Sequence, residues 1–129
     1  MAYTKTNWVN GGPPAISAEN LNNMESGIYD NDAKITAIQE WISNNIQMGS
    51  VSSISVAANS YTEVAITFSP TMASVPVVLA TLESASTAGA IGSLEVVTNN
   101  ITTSGFTARL FNAGSQARVP GFRWIAIAK

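Results

Sequence analysis

A heptad pattern of apolar residues runs from Leu21 to Asn45 and constrains the fold of this 129-residue chain more than any other feature. Steps of three and four residues give an unbroken series at heptad positions a and d, and the positions between are mostly polar. The residues at a are Leu21, Ile28, Ile35 and Ile42, and those at d are Met24, Asn31, Ile38 and Asn45. A stripe this narrow suits a second copy of the same helix better than a broad core, so it predicts a coiled-coil helix over residues 18–48.

The residue types in the seam bear on how many helices assemble. Isoleucine at both a and d favours three or four strands over two, and we expect a homotrimer. Asn31 and Asn45 are then buried polar groups that fix the register at a cost in stability, or amides that converge on the axis around a water molecule or an anion. The alternative for the whole segment is one amphipathic helix packed on its own domain.

The expected ends of the helix have local signals. Ser17 is a good N-cap, because its hydroxyl can accept a hydrogen bond from a free backbone N–H, and Glu19 lies in the first turn. Gly49 is the expected stop signal, as glycine commonly is just beyond a helix. Residues 1–17 contain Gly11-Gly12-Pro13-Pro14, which no helix tolerates, and are predicted to form an N-terminal arm.

Composition excludes several classes of function. The net charge of −2 gives a nucleic-acid partner no electrostatic support. With no cysteine and no histidine, the chain lacks thiolate ligands and the commonest general base, so we expect no metal site and no cofactor. Charged residues make up only 11%, and no run is long and apolar enough to insert into a membrane.

From residue 50 to residue 129 the pattern changes to short alternating runs separated by turn residues. This order of one helix followed by strands predicts a mainly β fold, an antiparallel six-stranded β-sandwich that follows the coiled coil. The predicted strands cover residues 51–57, 61–68, 75–83, 91–98, 101–111 and 118–128. The third and sixth strands carry apolar residues on both faces, which indicates a covered outer surface or, alternatively, a few scattered exposed side chains.

Residues 7–30 resemble the N-terminus of bacteriophage tail, baseplate and receptor-binding proteins. The resemblance is a Trp, a Gly-Pro turn and an Ile-x-Ala-x-x-Leu-Asn-x-x-Glu-x-Gly-Ile pattern, carried by Trp8, Pro14, Ile16, Ala18, Leu21, Asn22, Glu25, Gly27 and Ile28. It implies a virion protein that acts outside the cell. It also implies that the arm attaches to other tail or baseplate proteins.

A second resemblance covers residues 62–127. The pieces ITFSP, VPVVLATL, ITTSGF and WIAI are similar, in order and spacing, to the H-type lectin fold. That family has six antiparallel strands in a sandwich, assembles as trimers and binds N-acetylgalactosamine-like sugars between protomers at one end. The resemblance implies the same fold and assembly here.

The chain departs from that family where the sugar is held. The expected aromatic residue and His after the fifth strand are replaced by residues 112–116, Asn-Ala-Gly-Ser-Gln. At the same end, between loops 84–90 and 112–118, the side chains able to donate several hydrogen bonds to sugar hydroxyls are Asn112, Gln116 and Arg118. These three are the predicted glycan site. The other interpretation of Arg109, Arg118 and Arg123 is surface salt bridges to Glu83 or Glu95.

Catalysis has little support in the sequence, because it contains neither an evident pair of catalytic carboxylates nor an evident base that could activate a serine nucleophile. We therefore expect a non-enzymatic homotrimeric receptor-binding protein of a phage tail that recognises a host cell-surface glycan. The alternative is a purely structural trimeric virion component, a spacer or cap that binds no ligand.

Overall fold

The computed structural model describes residues 17–83 and 91–129, so the N-terminal arm and the predicted loop 84–90 lie outside it. A contact boundary between Glu40 and Trp41 separates two compact units, which are described separately. The elements are a helix, α1 (Ala18–Asn45), and six strands: β1 (Ile46–Val51), β2 (Ser60–Thr67), β3 (Pro76–Glu83), β4 (Leu94–Asn99), β5 (Gly105–Asn112) and β6 (Gly121–Ala128). A single 3₁₀ turn, Ile91–Ser93, precedes β4.

Helix α1 begins as the sequence predicts. The backbone N–H of Asn20 donates to Ser17 Oγ over 3.2 Å, which is the hydrogen bond of an N-cap. No residue of α1 is buried in the single chain, and the seam residue Ile28 is 66% exposed. Among the seam residues the exposed side chains include Leu21, Ile35, Ile38 and Ile42. Assembly through this stripe stays a prediction.

The helix ends earlier than predicted, at Asn45, and Gly49 is not its stop signal. Side chains and a loop amide satisfy the last carbonyl groups instead. Asn45 Nδ2 donates to the Trp41 oxygen over 2.8 Å, Gln47 Nε2 to the Ser43 oxygen over 3.1 Å, and the Ala73 N–H to the Asn44 oxygen over 2.8 Å. Residues 46–48, predicted to be helical, belong to β1.

Gly49 lies inside β1. A larger residue would not fit at this position, because the Trp124 ring lies directly over it. The two residues are partners in the β1–β6 ladder, and a Cβ on Gly49 would come within 2.8 Å of the Trp124 ring. The first strand was predicted at 51–57, after this glycine. That segment instead continues irregularly from β1, with backbone hydrogen bonds from Ile54 to Pro120 and between Val56 and Arg118.

The six strands form two antiparallel three-stranded sheets. One has the order β1-β6-β3 and the other β2-β5-β4, and this arrangement confirms the predicted mainly β sandwich. Three strands begin at least three residues later than predicted: β5 at Gly105 rather than 101, β4 at Leu94 rather than 91 and β6 at Gly121 rather than 118. Strand β5 begins late because residues 102–105 form a turn, in which the Thr102 N–H donates to the Gly105 oxygen instead of to a neighbouring strand.

The core lies between the two sheets, and within residues 17–83 and 91–129 it is apolar apart from one amide. The first sheet contributes Val78, Phe122 and Ala126, and the second contributes Phe106, Ala108 and Leu110. Trp124 packs edge-on against Phe106, with ring centroids 5.5 Å apart. The buried polar exception is Asn112, which is 1% exposed.

The outer face of the β1-β6-β3 sheet is apolar, as was predicted from the apolar residues on both faces of the third and sixth strands. Leu79 is 64% exposed, and its ladder partner is Ile125. The ladder places further apolar side chains on the same face, namely Ile46, Met48, Val77 and Ile127. A continuous exposed apolar sheet face is unusual on a monomer and indicates a covered surface.

Candidate functional site

Three loops meet at the end of the sandwich where β5 finishes. The backbone N–H of Asn59, before β2, donates to the Gly114 oxygen over 3.0 Å. The Ala113 N–H donates to the Ser93 oxygen over 2.8 Å, which ties the turn before β4 to the same place. This set of loops contains the predicted glycan site.

Asn112 organises this loop end from inside. Its Nδ2 donates to the Gln116 oxygen over 2.8 Å, to the Ala57 oxygen over 3.1 Å and, at a longer 3.3 Å, to the Val56 oxygen. Its Oδ1 accepts the Gly114 N–H over 2.9 Å. Because the amide is buried and its hydrogen-bonding groups are engaged internally, Asn112 holds the loops together rather than presenting free donors to a ligand.

Gln116 and Arg118 differ from Asn112, because each has side-chain hydrogen-bonding groups without a partner among the described residues. The side chain of Gln116 is exposed, and its backbone oxygen alone takes part in the Asn112 contact. The backbone of Arg118 pairs with Val56 in both directions. Arg118 Nε is buried and finds no hydrogen-bond partner among the described residues. A buried donor without a hydrogen-bond partner is unusual in a folded protein, so Arg118 is the residue of this loop end whose polar groups are least satisfied by the described residues.

The other arginines pair with carboxylates. Arg123 forms an ion pair with Glu83, one of the two predicted partners. Arg109 pairs with Glu63, its ladder neighbour on β2, and the Nε–H donates to Glu63 Oε1 over 2.9 Å. This hydrogen bond raises the pKa of Arg109 above its ordinary value. Arg109 is therefore a permanent cation of the outer sheet face.

The structure also reveals an aromatic pair that the sequence reading did not single out. Tyr61 and Phe111 are ladder partners with ring centroids 5.7 Å apart, and the Arg109 guanidinium carbon lies 4.8 Å from the Tyr61 ring centroid. The available signal was the alternation of β2 and β5, which places these side chains opposite to the buried Leu110. The pair borders the loop end described above.

Within residues 17–83 and 91–129, no group of three or more acidic, histidine or cysteine side chains is arranged to hold a metal ion. In the same part of the chain, no helix is long and apolar enough to cross a membrane. What this end of the sandwich offers chemically is hydrogen-bond donors on a rigid loop frame, which is the equipment of a binding site.

A two-sheet sandwich that carries its polar groups on linked loops at one end has the architecture of a β-sandwich binding domain. The comparison with family models matches residues 63–127, half of the chain, to the H-type lectin domain. The chain belongs to this family. Among curated proteins, none matches the sequence.

Solved structures with the same fold come from several sources. An N-truncated R1-type pyocin tail fibre aligns with a TM-score of 0.53 and 17% identity, over 65% of this chain and 70% of that one. The tailspike protein gp49 of Pseudomonas phage LKA1 gives 0.52 and 24%, over 64% of this chain but 15% of that one. Discoidin II of Dictyostelium discoideum gives 0.51 and 25%, over 64% of this chain and 36% of that one. The chain thus spans only a small part of the tailspike and about a third of discoidin II.

Proposed function

We propose that the protein is a homotrimeric receptor-binding protein of a phage tail, and that its sandwich recognises a glycan on the host cell surface without catalysis. The observation that carries the proposal is the loop end of an H-type lectin domain in which Asn112 fixes the frame and Gln116 and Arg118 retain donors. A fixed frame lowers the entropy lost when a ligand binds. The likeness to a pyocin fibre and a phage tailspike supports the tail setting.

In this proposal Gln116 and Arg118 contact sugar hydroxyls directly, and Asn112 acts through the loop conformation. Neighbouring protomers complete the site, because the predicted position is near a subunit boundary. With so few donors, affinity per site is about millimolar, or about 4 kcal/mol. Three sites on one trimer raise the effective affinity for a glycan-covered surface.

The trimer rests on two apolar surfaces, one along α1 and one on the sandwich. Ile28, Ile35 and Ile42 lie exposed along one stripe of α1. In the sandwich, Leu79 and Val77 lie on an exposed sheet face with Ile127. Each isoleucine that becomes buried contributes about 1.5–3 kcal/mol. The N-terminal arm, residues 1–17, attaches the trimer to other tail or baseplate proteins.

A structural virion role without a ligand is the second candidate. Exposed apolar faces are what a spacer or cap needs for assembly, and they require no glycan. The two roles differ in whether the purified trimer binds any glycan or host cell.

The test compares glycan-array binding and host-cell adsorption of the wild type with a Gln116→Ala, Arg118→Ala double variant. Arg123→Ala is the matched control, because it removes the same charge while its guanidinium already pairs with Glu83. We expect the double variant to lose binding and the control to keep it. Unchanged binding by the double variant would place the glycan elsewhere, and a wild type that binds nothing would leave the structural role.

A further inference from the structure

The outer face of the β2-β5-β4 sheet ends in an aromatic platform, which we define as the exposed Tyr61 and the half-buried Phe111. The two residues are ladder partners, their rings are tilted by 46°, and Tyr61 is 53% exposed. An exposed ring backed by a half-buried one at a strand end presents an apolar surface that water solvates poorly. The platform lies within one chain, so no second protomer is needed to form it.

Arg109 holds the platform from the side of the strand interior. Its guanidinium carbon lies 4.8 Å from the Tyr61 centroid and 5.9 Å from that of Phe111. The ion pair with Glu63 fixes the guanidinium in turn. A ring held between a cation and its aromatic neighbour loses little further freedom when a ligand stacks on it.

A shallow depression of about 420 Å³, open to solvent, lies beside the platform toward the strand ends. This volume falls in the range of about 300–1,000 Å³ that is usual for small-ligand sites and is too small for a folded partner. Its lining includes Asn59, Ser60, Tyr61, Phe111, Asn112 and Ala113. Because the Asn59 N–H bonds to Gly114 and Asn112 ties the loops together, the rim is preformed.

The chemistry of the rim selects the ligand. The described lining carries amide, hydroxyl and phenol groups and no ionised side chain. Glu95 is exposed as the ladder partner of Phe111 and has no ion-pair partner among the described residues, so it disfavours an anion and can accept from hydroxyls. Aromatic surface beside neutral hydrogen-bonding groups is complementary to a sugar ring, which has an apolar face and a hydroxyl edge.

We propose that Tyr61, Phe111 and the depression beside them form a second saccharide subsite, contained in one protomer, that takes a neutral pyranose stacked on the platform. The subsite uses neither Gln116 nor Arg118. It extends the proposed function, on which it rests for its cellular role but not for its chemistry.

The test is saturation-transfer NMR on the full chain with methyl glycosides of neutral hexoses and N-acetylhexosamines. Methyl sialoside serves as the anionic comparison. We expect a neutral glycoside to receive saturation mainly on one ring face, and methyl sialoside to receive less. Tyr61→Ala should weaken that binding by about two- to tenfold, the range expected for loss of one stacked aromatic contact.

Tyr29→Ala is the matched control, because it removes another exposed tyrosine, from α1. It should bind as the wild type does. Ser60→Glu is a second variant, should Tyr61→Ala lower the melting temperature, since it puts bulk and charge in the rim without touching the core. It should also weaken binding.

The outcomes separate this subsite from the proposed glycan site. Loss of binding in the Gln116→Ala, Arg118→Ala variant but in neither Tyr61→Ala nor Ser60→Glu overturns the subsite and leaves the proposed function intact. Loss of binding in Tyr61→Ala and Ser60→Glu but not in the Gln116→Ala, Arg118→Ala variant supports the subsite, and it means that the glycan does not bind at the predicted site. Absence of saturation for every neutral glycoside with the wild type also overturns the subsite.

Discussion

The side-chain amide of Asn112 donates a 2.8 Å hydrogen bond to the main-chain oxygen of Gln116, four residues further along the chain. The same amide also holds the loop between β1 and β2 through the Ala57 oxygen. One buried side chain therefore fixes the frame on which Gln116 and Arg118 are displayed. In this family member, a residue that looks like a ligand donor in the sequence has an internal role.

That role predicts the effect of Asn112→Ala on stability. Removing the buried amide takes a hydrogen-bond partner from the Ala57 and Gln116 oxygens and from the Gly114 N–H, and it empties a packed site, so we expect the free energy of unfolding to fall by about 2–4 kcal/mol. Urea denaturation would measure the change. Gln116→Ala is the control and should stay within about 0.5 kcal/mol, because its side chain is exposed. Equal stability of both variants would argue against the internal role.

The packing of Gly49 under Trp124 predicts a second effect. A methyl group there would overlap the ring, so Gly49→Ala should destabilise the sandwich by about 1–3 kcal/mol. Gly92→Ala is the matched control, since its Cβ would meet nothing within 4 Å. The readout is the melting temperature of the two variants. An unchanged melting temperature for Gly49→Ala would mean that the Trp124 ring can move aside freely.

Assembly through the apolar face of the β1-β6-β3 sheet predicts that light scattering of the wild type gives the mass of three chains. Leu79→Glu should weaken the trimer, because a carboxylate in an apolar interface loses its hydration. Val97→Glu introduces the same charge on the exposed face of β4 and should leave the mass unchanged. A wild-type monomer at micromolar concentration would contradict the trimer, and a dimer would contradict its stoichiometry alone.

We expect replacement of the two asparagines of the heptad pattern to change the melting temperature by different amounts. Asn31→Ile should raise the melting temperature of the assembly, because it replaces a buried amide in the predicted seam by an apolar side chain. Asn45→Ile should gain less, since it also removes the hydrogen bond to the Trp41 oxygen. Asn23→Ile, at an outward heptad position, is the control and should not stabilise. If Asn31→Ile melts lower than the wild type, Asn31 does not face a shared apolar seam.

The sequence by itself determined the order of the elements, the start of α1 and the family. These depend on local signals and on spacing: Ser17 caps the helix through its own hydroxyl, and strand alternation needs only neighbouring residues. It also predicted the apolar outer face, because Val77 and Leu79 alternate with the buried Val78. Gly49 misled the placement of the helix end, since glycine is common both after helices and beneath large rings.

Only the tertiary structure decided which polar groups remain available for binding. Asn112, Gln116 and Arg118 look equivalent as donors in the sequence, but a buried amide must be satisfied, and the partners of Asn112 come from up to 56 residues away. In the same way, Tyr61 and Phe111 are 50 positions apart in the chain, and the β2–β5 register makes them one platform. Long-range pairing sets these contacts, and no local signal encodes it.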